Sequence, residues 1–299
     1  MKKILIADGM DKEALDLLRA LPGFEVTVKK GMTEEELVQT VPGYRAVVVR
    51  SASKITRPVI EAGKDLKVLI RAGIGLDNID SAAAKEKGIV VANTPAATSI
   101  SVAEHTFGLM LGAVRNHAKA VLTMKQHKWE KKALEGTELY GKTLGIIGCG
   151  RIGIEVAKRA LAFGMKVLIY DVIPVKTGLD ARQVPLEELL AAADLITLHV
   201  PKQAKPILSE AEFGMMKNGA IIVNVARGGV VDERALLAAL NAGKVRAAAL
   251  DVYDKEPPED FSLVDHPNVI PIPHLGAAAV EGQQRAGLEV VRILKEKLG

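Results

Sequence analysis

The stretch "TLGIIGCGRIGIEVAKRALAFGMKVLIYD", residues 143–171, constrains the fold of this chain more than any other segment. Gly148, Gly150 and Gly153 stand in G-x-G-x-x-G spacing, after a strand pattern and at the start of a helical one. That spacing alone is common. With a strand before it, a helix after it and a second strand ending in an acidic residue, it prescribes a βαβ unit that binds a dinucleotide. Asp171 ends the second strand, 18 residues beyond Gly153, close to the roughly 20 that such a unit needs. Each glycine has its own reason: Gly148 permits the tight turn, Gly150 lets the backbone approach a pyrophosphate, and Gly153 lets the helix pack close to the sheet. The helix N-terminus offers free N–H groups and a partial positive charge to the phosphates. Asp171 is placed to accept hydrogen bonds from an adenosine ribose and to repel a 2′-phosphate, so NAD is expected over NADP. Lys176, five residues on, keeps the second cofactor as an alternative. Cys149, inside the loop, reads as small apolar filler.

Around this unit, short β-branched runs alternate with helical patterns, the signature of parallel sheets covered by helices. A first series runs through "KILIAD", "EVTV", "AVVVR", "KVLIRAG" and "IVVANTP"; a second through "KTLGIIG", "KVLIYD", "LITLHV", "AIIVNVA", "RAAALDV" and "NVIPIP". At 299 residues the chain has room for two domains, and with only 3% aromatic residues their cores must be built from Ala, Val, Leu and Ile. Between the series lies a long helical pattern, "VAEHTFGLMLGAVRNHAKAVLTMKQ", with Ser101 and Glu104 in the spacing of a capping box at its start. A last helical pattern, "AVEGQQRAGLEVVRILKEKL", follows residue 278.

Other function classes are disfavoured. The net charge of +4 is a mild excess, and the densest basic stretch, "KQHKWEKK" at 125–132, holds the only tryptophan, Trp129. Nucleic-acid surfaces usually show longer basic patches with several stacking aromatics, so none is expected. A single cysteine allows no disulfide framework and no cysteine zinc cluster, and no metal site is expected. The opening "MKKILIADGM" has an apolar run too short for a signal-peptide core, and no run of about 18 apolar residues occurs. A cytoplasmic protein without membrane contact is the expectation.

Polar residues punctuate the ends of the second series. "AIIVNVARGG" delivers Arg227, "RAAALDVYDKEPP" delivers Asp251 and Glu256, and "NVIPIPHLG" delivers His274. Ligands of open parallel sheets bind beyond the carboxyl ends of the strands. A cation, a carboxylate and an imidazole arriving past several strand ends are expected to converge on one bound nicotinamide.

With these motifs the chain resembles the D-isomer-specific 2-hydroxyacid dehydrogenases, most closely the phosphoglycerate dehydrogenase branch. The likeness also runs through "VRSASKIT", "LIRAGIGLDNID", "NTPAATSISVAEHTFGLML", "KWEKKALEGTELYGKTLGIIGCGRIG" and "NVARGGVVDERAL". It implies that Arg227 binds and polarises the 2-oxo acid, that His274 is the acid–base, and that Glu256 orients the imidazole and favours its protonated form. It places cofactor contacts on Gly148, Gly150, Arg151, Ile152, Gly153, Asp171, Val200, Pro201, Val225, Ala226, Asp251 and Gly276. Substrate contacts fall on the Gly73–Ile74–Gly75 loop, with Arg50, Lys54 and Lys131 as candidate anchors for a substrate phosphate. The implied architecture is α/β: two doubly wound parallel-sheet domains, a Rossmann dinucleotide domain (98–279) inserted into a flavodoxin-like substrate-binding domain (1–97 plus 280–299). The expected enzyme is a short form without a C-terminal regulatory domain, acting on a small 2-hydroxy or 2-oxo acid. It is expected to be a homodimer, with the segment "NHAKAVLTMKQHKWEKKALEGTELY" as an exchanged arm. "GAAA" after His274 and Ile74 depart from the branch's usual residues, so glyoxylate or hydroxypyruvate reductase stays open as an alternative. So does an NAD(H)-sensing, corepressor-like binding protein.

Overall fold

The computed structural model describes residues 1–299. The chain divides into two compact units, residues 1–101 with 277–299, and residues 102–276.

In the first unit, β1 (Lys2–Ile6), β2 (Phe24–Val28), β3 (Ala46–Val49), β4 (Val68–Arg71) and β5 (Val90–Asn93) form one parallel sheet in the order β2-β1-β3-β4-β5. Successive residues of a strand point to opposite faces, and both faces here are covered, which is why the strands read as continuous apolar runs. Ile4, Ile6, Val48 and Ile70 pack with Ala14 and Leu18 of the helix Lys12–Ala20 and with Val290 and Leu294 of the C-terminal helix Val280–Leu298. Leu5, Val47, Val49 and Leu69 pack on the other side with Leu37, Val59, Ile60 and Ala83 from three short helices. The C-terminal helix sits close against the first one: a Cβ at Gly287 would lie 2.6 Å from the Ala14 Cβ.

In the second unit, β6 (Thr143–Ile147), β7 (Lys166–Tyr170), β8 (Ala181–Gln183), β9 (Leu195–Leu198), β10 (Ala220–Asn224), β11 (Val245–Leu250) and β12 (Val269–Pro271) are all parallel. Their order, β12-β11-β10-β9-β6-β7-β8, is the doubly wound order of dinucleotide-binding sheets with one further strand. Its direction of growth reverses between β6 and β9, and such a switch point opens a crevice at the carboxyl ends of the strands.

Three details differ from the sequence-based expectation. The edge strand β8 has no apolar run to announce it, because Arg182 and Gln183 are exposed. The long helical pattern is two helices, Ser99–Val114 and His117–Lys125, separated where Asn116 takes the left-handed conformation (φ 55°). Ser101 and Glu104 form no capping box. The helix starts at Ser99, after a turn in which the Ala97 N–H donates to the Thr94 carbonyl, so Ser101 is buried inside it. Glu104 instead pairs with Arg159 at 3.0 Å. No helix is long and apolar enough to cross a membrane.

Candidate active site

The glycine turn joins β6 to the helix Arg151–Ala162. Gly148 has φ +87°, and a Cβ there would lie 2.7 Å from the His199 carbonyl oxygen, so both backbone angle and space require glycine. A Cβ at Gly153 would lie 2.5 Å from the Gly148 carbonyl oxygen, so the helix can close on the turn only without a side chain. At Gly150 a Cβ would meet nothing within 4 Å. That open space lies over the N-terminus of a twelve-residue helix whose N-cap, Gly150, supplies no side-chain bond. The first bond at this helix start runs from the Ile154 N–H to the Gly150 carbonyl, leaving the N–H groups of Arg151, Ile152 and Gly153 aimed outward. A pyrophosphate fits this cradle.

Asp171, just past β7, accepts from the Cys149 N–H at 2.8 Å and the Ile173 N–H at 3.3 Å. A carboxylate has about four lone-pair directions, so capacity remains for ribose hydroxyls. Burial, then the nearby Asp171 charge, push the Cys149 thiol up to about 11, which makes it inert packing rather than a reagent.

Val200 and Pro201 follow β9, and Val225 and Ala226 follow β10, each at the carboxyl end of its strand. Arg227, Glu256 and His274 come from the segments that follow β10, β11 and β12, three neighbouring strands. The His274 Nδ1 lies 2.7 Å from the Glu256 Oε2, while the Glu256 Oε1 accepts from the Tyr253 N–H at 3.2 Å. Burial pushes the Glu256 carboxyl up, but the His274 hydrogen bond, the His274 charge and the Tyr253 N–H outweigh it and hold the group below its ordinary range. Glu256 is therefore an ionised partner.

Arg227 joins the same network through the backbone. A Cβ at the adjacent Gly228 would fall 1.8 Å from the Tyr253 carbonyl oxygen, so the turn after β10 lies directly on the segment that holds Glu256. Asn224, buried at the end of β10, fixes that turn: its Oδ1 accepts from the Ala226 N–H and its Nδ2 donates to the Arg227 carbonyl, both at 3.1 Å. Asp251, 1% exposed, accepts from the Leu275 N–H at 2.7 Å and the Gly276 N–H at 2.8 Å and lies 3.3 Å from the His105 Nε2. It fastens the turn that carries His274. Asn224 and His105 were absent from the sequence-based set. Asn224 stands in the "NVARGG" motif and was readable there, whereas His105 is linked to Asp251 only by folding.

The remaining candidates separate. Arg50 and Lys54 follow β3 and the Gly73–Ile74–Gly75 loop follows β4, so these sit at adjacent strand ends of the first unit. Lys131 belongs to the second unit, exposed in a short 3-10 turn, Lys131–Leu134. Arg71, between the two loops, donates its Nε to the Arg50 carbonyl at 3.1 Å and was not singled out from sequence.

Residues 107–276 match the family model for the NAD-binding domain of D-isomer specific 2-hydroxyacid dehydrogenases. A hydroxypyruvate reductase of Thermotoga maritima is 49% identical over 99% of this chain and 98% of its own length. A D-3-phosphoglycerate dehydrogenase of Methanocaldococcus jannaschii is also 49% identical, over all of this chain, which spans 58% of that longer protein. Among solved structures, a D-lactate dehydrogenase of Aquifex aeolicus complexed with NAD and lactic acid superposes with a TM-score of 0.86 at 30% identity, covering 98% of this chain and 94% of that one. The glycine cradle, the ordered carboxylate–imidazole pair and these likenesses converge: the chain belongs to the NAD-dependent D-isomer specific 2-hydroxyacid dehydrogenases.

Proposed function

We propose that the chain oxidises D-3-phosphoglycerate reversibly to 3-phosphohydroxypyruvate, with Arg227, Glu256 and His274 as its catalytic residues. The observation that carries the catalytic reading is the 2.7 Å contact between the His274 Nδ1 and an ionised Glu256, on segments that follow strands of the sheet that also bears the glycine cradle. NAD, held by Gly148 to Gly153, Asp171, Val200, Pro201, Val225, Ala226 and the Asp251–Gly276 turn, supplies the two-electron carrier. Glu256 accepts from Nδ1–H and so fixes the tautomer, which leaves Nε2 to give or take the proton at the substrate's 2-oxygen. Arg227 pairs its planar fork with the substrate carboxylate and polarises the neighbouring carbonyl.

The phosphorylated substrate is favoured by Arg50 and Lys54, which make no ion pair within the chain, beside the backbone of the Gly73–Gly75 loop. In this reading the first unit is the substrate-binding domain and the second the dinucleotide domain, with Lys131 as a further anchor. The chain acts in the cytoplasm as a homodimer. The segment 116–136 supports the dimer: it leaves and returns at one point, where the Thr137 N–H donates to the Val114 carbonyl at 2.9 Å, and it exposes Leu122 (59%) and Trp129 (79%). A second reading, hydroxypyruvate reductase, is favoured by the Thermotoga relative, which this chain matches over nearly its whole length.

Initial rates of NADH oxidation with 3-phosphohydroxypyruvate, hydroxypyruvate, glyoxylate, pyruvate and 2-oxoglutarate, repeated with NADPH, separate these. A clear preference for the phosphorylated acid is the expected result. Preference for hydroxypyruvate or glyoxylate establishes the second reading and reduces Arg50, Lys54 and Lys131 to surface charges.

A further inference from the structure

The segment that carries Arg50 and Lys54 has no regular secondary structure, and both of its ends are tied to side chains from elsewhere in the first unit. Asp8, two residues past β1, accepts from the Arg50 N–H through Oδ2 at 2.6 Å and from the Ser53 N–H through Oδ1 at 3.0 Å. The Ser53 hydroxyl also donates to Asp8 Oδ1, and Ser53 is only 4% exposed. From the other side, the Asn78 Nδ2 donates to the Arg50 carbonyl at 2.9 Å and to the Ser53 carbonyl at 2.7 Å. The backbone donors and acceptors of residues 50 and 53 are thus consumed by three side chains, Asp8, Asn78 and, at the Arg50 carbonyl, Arg71, which closes the turn into one shape. Because the Asp8 carboxylate is spent on these donors, it does not pair with the Arg50 guanidinium.

We infer that Asp8 is a positioning residue for substrate selection: it holds the 50–54 turn so that Arg50 and Lys54 present their charges to the phosphate of the substrate. The inference rests on the reading of Arg50 and Lys54 as phosphate anchors. The chemistry demands an acceptor on both oxygens. Three donor groups converge on this carboxylate, and an amide there would set an NH2 against an N–H or O–H on one side. Leaving a nearly buried donor unpaired costs enough to release the turn. A freed turn keeps its cations but no longer aims them. The loss should therefore fall on the phosphate rather than on turnover in general, because remote binding groups act by orientation.

The test compares wild type, Asp8→Asn, Arg50→Met and the double variant, each assayed with 3-phosphohydroxypyruvate and with hydroxypyruvate, alongside NADH affinity by fluorescence quenching. The ratio of kcat/KM for the phosphorylated acid to that for the unphosphorylated one should fall about tenfold in Asp8→Asn, through KM, with NADH affinity within about twofold of wild type. The double variant should lose less in this ratio than the two single losses multiplied together, because Asp8 acts through Arg50 as well as through Lys54. Equal losses on both acids, or additive effects in the double variant, overturn the positioning role while leaving the phosphate reading intact. An unchanged ratio in Arg50→Met overturns both. If Asp8→Asn fails to fold, Ser53→Ala, which removes a single donor, should move the ratio the same way by a smaller factor; an unmoved ratio there also overturns the inference.

Discussion

His274 takes φ +53°, in the left-handed region that non-glycine residues rarely occupy. Such strain persists only where the surroundings over-determine it, and here they do. The ring is held by Glu256, and the two residues after it are held by the buried Asp251. Substituting His274→Ala should lower kcat at least about a hundredfold while NADH affinity, read by fluorescence quenching, stays within about twofold of wild type. Activity above roughly a tenth of wild type would falsify the acid–base role. The proposed catalytic trio was visible in the sequence because each member sits in a short motif at a strand end. Asp8 was not, since its partner Ser53 lies 45 residues away and only the parallel pairing of β1 with β3 brings them together.

Among the elements, the helix Arg151–Ala162 depends on one absent side chain. Gly153→Ala would put a Cβ 2.5 Å from the Gly148 carbonyl, so the helix must move off the turn proposed to cradle the pyrophosphate. NADH affinity should fall at least about tenfold, measured by titration; unchanged affinity would mean that the turn yields without affecting the cradle. The helix His117–Lys125 presents the opposite case. It has nine residues and buries none of them, and an isolated helix of that length is marginal in water. Its stability must come from something it packs against. Residue patterning showed a helix here but not its separation from Ser99–Val114, because the break depends on the left-handed angle of a single asparagine. The edge strand β8 was equally silent, being short, polar and exposed on the sheet's margin.

At the scale of the whole molecule, the exposed Leu122 and Met124 (54%) on that helix are the surface expected to meet a second copy. Leu122→Glu should convert a dimer to a monomer in light scattering after gel filtration at micromolar concentration; a wild-type monomer would remove the premise. Acid stability gives a separate prediction. Burial lowers the His199 imidazole to about 3, far below its ordinary 6.5. Below pH 6.5 the unfolded chain therefore binds a proton that the native one refuses, so this group's contribution is complete above pH 6.5 and is lost as pH falls toward 3. The slope is at most about 1.4 kcal/mol per pH unit, and His199→Gln should shrink the stability difference between pH 7 and pH 4.5 in urea titrations. Equal differences would mean that the native imidazole titrates freely. By itself the sequence determined the two parallel-sheet series, the dinucleotide turn and the three catalytic candidates, because strand patterning and turn chemistry are local. Only the tertiary structure decided the strand orders, the closure of Glu256 on His274, the fastening of that turn by Asp251, and the hold of Asp8 on Arg50. Those depend on which strand ends lie side by side, and no spacing along the chain encodes that.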